Sequence, residues 1–586
     1  MADSVNSGGS QGTPRKEISM ELRLLMAFLL MGAVLFLTPY IFKTNTPPAK
    51  KAETAKTQTT ASQPAPPRAA SAPEQPKAEA AKPAPVPGAT PQNVLPPMVI
   101  DTDFYRIVFS NQGATVRAWQ LKNYKGNDKK PLEIVNTTAG MEYPFALYAP
   151  GQDAASKTAN WAYYTQTVDP DGLGVAFDFS DGHVSVKKTF RFQKNSYLSK
   201  ISTEMAIDGK AVPAQVEWRG GFGDLTVLTA SGASKAIYFD LTANKFVQES
   251  NTAAKNGPVS TGGNYTFAGL ADAYFAAVVL PQGSATIQQT TFTDYVRTPA
   301  DGNNADAKKQ PFAGMSVSDG GANHFDLFVG PKDYHLLGRI NPKLQQLVDF
   351  GTWFGWLAKP LFLITAYINS SFIHNYGWSI VAITVILNLL LFPLKITNMK
   401  SMRKMQALKP QIDTINQKYK NIGLRDPKKA EQNQEVMALY KQNGVNPMGG
   451  CVPMLIQLPF FFAFYKVFSV SAEMRGASWL WVTDLSQPEQ IAIRILPLVL
   501  VGSQFLMQKM TPQAGTDQSQ QKMMMMMMPL IFGFMFYNFA SGLVLYYLTS
   551  NLVSIGQQLF FNHTAAADRA AQSVVATQPK RKIGRK

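Results

Sequence analysis

Between two strongly apolar stretches of this chain lies a basic, amphipathic insert at residues 395–446, and it constrains every way the chain can be threaded. Over residues 395–441 it carries eleven basic side chains: Lys395, Lys400, Arg403, Lys404, Lys409, Lys418, Lys420, Arg425, Lys428, Lys429 and Lys441. Only four acids oppose them, Asp413, Asp426, Glu431 and Glu435. A basic block beside membrane-spanning segments resists translocation, so this face of the protein belongs on the cytoplasmic side. Met402, Met405, Leu408, Ile412, Ile415 and Tyr419 recur at helical spacing, and Val436, Leu439 and Tyr440 resume the pattern after the breakers Gly423 and Pro427. The insert therefore reads as a helical hairpin with one apolar stripe. Charge alone favours a solvated hairpin that sets topology; the sharper alternative is a docking surface for acidic lipid, RNA or a nascent chain.

The flanking sequence divides sharply. Residues 1–21 form a polar tail, and residues 22–42 an apolar run of about the ~20 residues a helix needs to cross a bilayer. We read that run as an uncleaved anchor, because no small-residue cleavage site follows a short apolar core. Residues 43–97, rich in Ala, Pro, Thr and Lys, cannot bury a core and read as an extended tether. Residues 98–340 carry β-branched and aromatic runs punctuated by Gly, Asn and Asp, and predict an all-β sandwich. At 341–376, Trp353, Trp356 and Tyr367 around a central Lys359-Pro360 place an amphipathic helix along the outer interface. Residues 377–561 then supply five spans, at 377–394, 449–470, 491–507, 523–539 and 542–561, and 562–586 is a basic tail.

Charge bookkeeping tests this count. Four spans separate the insert from the tail, so both share the cytoplasm, while the loop at 471–490, with Arg475 as its one basic residue, falls outside. One span upstream of the insert, the β domain is also outside, which leaves both termini cytoplasmic. The fold class is thus an α-helical membrane protein of six spans with an all-β external domain.

The chain has few residues suited to covalent chemistry. Cys451, the sole cysteine, excludes an intramolecular disulfide, and the five scattered histidines offer no metal spacing. No cofactor or metal is expected. A secondary transporter would want acids within its spans, and none lies in their centres; an enzyme at the interface would want a partnered acid, yet Glu473, Glu489 and Asp484 show no evident partner in sequence. What remains are polar side chains inside apolar helices: Thr384 and Asn388 on one helical face, Gln457, Tyr546, Tyr547 and Asn551. Singly each reads as interhelical hydrogen-bond glue; together, at comparable depth, they favour a wet polar cavity.

Asn446-Pro447-Met448-Gly449-Gly450-Cys451 with Leu455-Ile456-Gln457-Leu458-Pro459, and Ser541-Gly542-Leu543-Val544-Leu545-Tyr546-Tyr547 with Ser550-Asn551-Leu552, resemble the YidC family of membrane protein insertases. The order of parts is similar too. The resemblance implies a non-enzymatic insertase and chaperone in the inner membrane of a Gram-negative type cell, with the β domain periplasmic. Its implied partners are nascent membrane proteins, the Sec translocon, membrane lipids, and the ribosome through the basic tail and hairpin, where Lys400, Arg403, Lys404 and Lys409 are the expected contacts; no specific nucleic acid sequence is implied. In that family a hydrophilic groove receives polar parts of the substrate, and its residues map onto Thr384, Asn388, Gln457, Tyr546 and Tyr547. The family usually has an arginine where this chain has Asn388. Lys466 is expected to snorkel outward, and Lys395 could reach up from below although its natural place is the cytoplasmic headgroup layer, so the groove is expected to be neutral and to work by wetting and local bilayer thinning.

Overall fold

The computed structural model describes residues 89–126, 129–136, 141–225, 234–282, 286–300, 303–419, 428–445, 452–510 and 518–576. The expected anchor, most of the tether and the Asn446–Cys451 motif lie outside these residues. Two compact units are present, one whose described part is Asp413–Leu439 and one holding the β domain and the remaining helices.

Strands run from Met98–Asp101 to Asn323–Pro331 and pair antiparallel throughout. They form sheets of four, ten and five strands. The ten-stranded sheet passes from Lys245–Glu249 at one edge through the neighbours Phe275–Pro281 and Asn323–Pro331 to Thr165–Val168 at the other. Alternation in sequence becomes alternation in burial, with Lys188 the one charged side chain on the inward face of its strand. In Val184–Arg191 the valines and Phe190 point inward while Ser185, Lys187 and Arg191 are exposed. Phe275–Pro281 behaves differently: Phe275 to Val279 are buried on both faces, as an unbroken apolar run in a central strand requires. The core is aromatic, with Trp119, Phe145, Phe190, Phe192 and Trp218 in mutual ring contact.

Two helices lie within or beside the β domain, α1 (Asp153–Trp161) and α2 (Tyr334–Ile340), the latter capped by the Asp333 carboxylate accepting from Leu336 N. Then come α3 (Gly355–Ile368), α4 (Tyr376–Leu390), α5 (Phe392–Ala407), α6 (Lys409–Lys418), α7 (Lys428–Gln442), α8 (Val452–Val470), α9 (Ile495–Met510), α10 (Gln518–Phe536) and α11 (Ser541–Ala576). Helix α11 packs against α4, α8 and α9; α9 also packs on α10, and α3 on α8. The apolar stripe of the insert is present: Met405, Leu408, Ile412 and Tyr419 are buried, while Lys400 and Lys404 are exposed. Within the smaller unit, Glu435 accepts from Lys418 Nζ (2.6 Å) and Tyr419 Oη (2.8 Å), and Gln432 Nε2 donates to Asn416 Oδ1.

Among the described residues no single helix is both long and apolar enough to cross a membrane. The pair 355–373 and Tyr376–Leu390 meets that requirement together, bent by 116°. Its corner has a local cause. His374 adopts a left-handed conformation (φ 55°), and Asn375 then caps α4 by accepting from Trp378 N. The helices also carry large apolar side chains on open faces, including Leu390, Leu530, Phe534, Leu552 and Phe560, all more than half exposed. A surface that apolar is unusual against water.

The loop 471–490 is not a loose connection. Arg475 is buried between Asp224 of the β domain (Nη2–Oδ2 2.7 Å) and Asp484 of its own loop, and Tyr274 Oη donates to Phe468 O of α8. Gly223 keeps this corner open: at φ +102° a Cβ would lie 2.0 Å from Asp272 Oδ2. The loop acids that lacked partners in sequence all have them. Glu473 accepts from Tyr334 N and Ser471 Oγ, Asp484 from Arg475 and Ser486, and Glu489 from Trp481 Nε1 and Leu496 N. They hold structure together.

Two predictions follow from this junction. Arg475→Ala removes the guanidinium shared by two buried carboxylates and destabilises the fold by about 3–5 kcal/mol, read from unfolding of the full chain in mixed micelles. Burial, then the nearby Asp333 charge, push the Glu473 carboxyl up to about 7. The folded state therefore holds a proton that the unfolded chain loses above its ordinary carboxyl pKa, so stability falls as pH rises from about 4.5 to about 7. In Glu473→Gln, the difference in thermal midpoint between pH 5 and pH 8 shrinks.

Candidate functional site: a polar seam among apolar helices

Helix α11 carries a polar stripe at Tyr546, Ser550, Ser554 and Gln557, spaced by three or four residues and so confined to one face. That face meets α4, α5 and α8. Gln457 Nε2 of α8 donates to Tyr546 Oη (2.5 Å) and lies 3.4 Å from Ser550 Oγ. Asn388 Nδ2 donates to Ser550 Oγ (3.3 Å) and to Thr384 O one turn back (2.8 Å). Gln557 Nε2 returns a bond to Asn388 O (3.0 Å). Thr384, Asn388, Tyr546, Ser550, Ser554 and Gln557 are all buried, and Gln457 is half-buried. Each polar group thus answers the cost of leaving water through a neighbour on another helix.

Lys395 closes the seam. It stands in the first turn of α5, just past a break at Leu391, with Pro393 at the helix start, where its missing N–H does least harm. Helical side chains lean toward the N-terminus, and the long Lys395 stem runs back toward α4. Its Nζ donates to Asn388 Oδ1 (2.6 Å), Ser554 Oγ (2.9 Å) and Gln557 Oε1 (3.3 Å). This differs from the neutral groove expected of the sequence, which assigned Lys395 to the headgroup layer. A side chain two turns along the chain from Asn388 reaches it because the α4–α5 junction turns the stem inward.

The other sequence candidates fall in different places. Thr384 Oγ1 donates to Ile380 O of its own helix (2.6 Å) and lends the seam only its carbonyl. Tyr547 faces away from the seam: its ring lies 5.0 Å from Phe536 and 6.0 Å from Phe532 in an aromatic cluster with Phe461 and Phe539. Asn551 bonds Ser503 and Gln504 of α9. Arg403 Nη2 donates to Phe561 O and Asn562 Oδ1 and stacks over the Phe561 ring, tying α5 to α11, whereas Lys400 and Lys404 are exposed and Lys409 half-buried. Lys466 Nζ sits 3.4 Å from Asp349 Oδ2, away from the seam as expected. The residues missed in sequence, Ser550, Ser554 and Gln557, were announced by their helical spacing behind Tyr546.

No group of His, Cys, Asp and Glu among the described residues could hold a metal ion. Hydroxyls, amides and one ammonium suit binding and hydration of a polar guest.

Residues 368–568 match the family described as 60Kd inner membrane protein, and residues 97–364 match the YidC periplasmic domain. The membrane protein insertase YidC of Syntrophus aciditrophicus (strain SB) is 31% identical over 570 residues, covering 93% of this chain and 100% of the relative. That of Geobacter metallireducens (strain ATCC 53774 / DSM 7210 / GS-15) is 33% identical, covering 94% and 100%. Among solved structures, an active YidC insertase with its first transmembrane domain resolved aligns at 18% identity and a TM-score of 0.35, covering 80% of this chain and 94% of that one.

Replacing Tyr546 with Phe removes the hydroxyl that accepts from Gln457. The expected loss of stability is about 0.6 kcal/mol, the average for an interhelical contact in a membrane protein, measured by unfolding in mixed micelles.

Proposed function

The chain belongs to the YidC family of membrane protein insertases, and on that premise we propose that it carries the polar segments of nascent membrane proteins through the Gln457–Asn388–Lys395 seam. The observation that supports this reading is a continuous run of partnered polar side chains on four helices, beside open apolar faces of α4 and α11. A polar segment entering the seam exchanges hydrogen bonds with it instead of crossing unbroken hydrocarbon, while the substrate's apolar segment gains ~25 cal/mol per Å² on leaving water. No covalent step is needed.

In this reading the chain sits in the inner membrane with six spans: residues 22–42 as anchor, then α4, α8, α9, α10 and the first part of α11. Both termini are cytoplasmic and the β domain periplasmic. Helix α3 lies along the outer interface, for which its 116° turn into α4 is suited. The basic insert meets the chain as it arrives, through Lys400, Lys404 and Lys409 facing the ribosome or acidic lipid, and the protein acts alone or beside the Sec translocon. Of the expected groove residues we retain Thr384, Asn388, Gln457 and Tyr546; Tyr547 serves packing.

The test replaces Asn388 and Gln457 together with leucine and follows insertion of a substrate with a polar translocated tail into proteoliposomes. Insertion should fall several-fold while the protein stays folded. Undiminished insertion would count against the seam, as would a photocrosslinker at Gln457 that labels lipid and no stalled nascent chain.

A further inference from the structure

The connection between α8 and α9 makes one tight reversal that insertion through the seam leaves without a role. Trp479 and Val482 exchange both backbone bonds, N to O at 2.8 Å each way, so Leu480 and Trp481 form a two-residue turn. Leu480 lies there in the left-handed region, at φ 49°. A turn that needs a positive φ ordinarily takes glycine or asparagine, and leucine is strained in that position. Packing does not repay the strain, because Leu480 is 64% exposed. Strain kept for a side chain with few neighbours points to a role for that side chain. What the leucine supplies is an apolar tip. Residues 476–483 carry no charge. Trp481 is 42% exposed, and its one polar atom is already used: Nε1 donates to Glu489 Oε1 at 2.6 Å, which leaves hydrocarbon on the open part of the ring. The turn is also tied to its neighbours. Trp479 has its ring 5.5 Å from that of Trp378 on α4 and 5.8 Å from that of Trp481, and Asn375 Nδ2 donates to Ser478 O at 3.1 Å. Glu489 accepts from Leu496 N at the start of α9. Trp378, Ile493 and Leu498 on these flanks are open as well, Ile493 by 67%.

We propose that the Leu480–Trp481 turn is a lipid-binding tip, seated among the headgroups and upper acyl chains of the outer leaflet. Phospholipid is the partner its chemistry fits. Tryptophan is at home at headgroup level, and a leucine beside it reaches the acyl boundary without bringing a charge. The turn is joined through Trp378 and Leu496 to the ends of α4 and α9, whose open faces belong in hydrocarbon when those helices span the bilayer. The base of the same loop is locked to the β domain, Arg475 Nη2 donating to Asp224 Oδ2 at 2.7 Å five residues before Leu480. A tip held in lipid and a base held in the β domain together fix the height at which that domain stands over the membrane.

This inference rests on the six-span placement, and the experiment separates the two. In full-length protein carrying Cys451→Ser, a fluorophore is attached at Leu480→Cys, Ile493→Cys or Leu530→Cys, and each is reconstituted into phosphatidylcholine vesicles. Quenching by phosphatidylcholine brominated high on its acyl chains is compared with quenching by iodide present on both sides of the bilayer. Leu530 lies on the open face of α10 and reports the span itself. Bromolipid should quench it and iodide should not; the reverse would sink the six-span placement. Leu480→Cys should be quenched several-fold more by bromolipid than by iodide. With Leu530→Cys behaving as a span, stronger quenching of Leu480→Cys by iodide would place the turn in water and overturn the proposal. Quenching by neither would overturn it too, since the turn would then be covered by protein. Leu480→Asn keeps a residue suited to the left-handed backbone and removes the apolar tip. Combined with Ile493→Cys, it should raise iodide quenching at that position several-fold over Ile493→Cys alone, and an unchanged value would count against the turn as the lipid contact.

Discussion

Polar groups placed among apolar helices must find one another, and in this protein that requirement shapes the helical core. Lys395 alone would be an ammonium drawn out of water, and Asn388 alone an unsatisfied amide. Together with Ser550, Ser554 and Gln557 they form a set in which every member is answered. The packing of α11 against α4 and α8 is the geometry in which those bonds are made. Yet they are bonds a polar guest can exchange, because the acceptors are neutral and two members, Gln457 and Lys395, are only half-buried. On the proposed function, stability and activity draw on one network.

At the other end of the helices the same principle is used for permanence. Arg475, Asp224 and Asp484 are nearly inaccessible, and the one guanidinium bridges both carboxylates between the β domain and the loop that follows α8. A buried ionic bridge of this kind is costly to break. Gly377, where a Cβ would lie 2.2 Å from the Trp479 ring, lets α4 approach that loop closely. The contrast is chemical: the end beside the β domain pairs charge with charge, while the seam leaves one charge paired with dipoles.

Much of this was readable beforehand, and where reading failed the reasons are specific. Alternation in Val184–Arg191 and the stripe Met405, Leu408, Ile412 are properties of local periodicity and emerged as expected. Gln457, Asn388 and Tyr546 stood out because polar residues inside apolar runs are expensive. Tyr547 stood out for the same reason and faces an aromatic cluster, since adjacent helical residues point about 100° apart and only the neighbouring helices decide which of the two meets the seam. The loop acids Glu473, Asp484 and Glu489 seemed unpartnered because their partners, Tyr334, Arg475, Trp481 and Leu496, come partly from distant sequence.

By itself the sequence determined the division of the chain: a β domain, a run of apolar helices and a basic hairpin between them. Hydrophobic periodicity and charge are local quantities, and they are enough for that. Tertiary structure decided where the positive charge goes. In sequence Lys395 is the first basic residue after an apolar helix, which favours the headgroup layer and leaves a reach into the groove open. The break at Leu391 and the approach of Ser554 and Gln557 on α11 turn it inward, and no one-dimensional pattern records a hydrogen bond between residues 395 and 557.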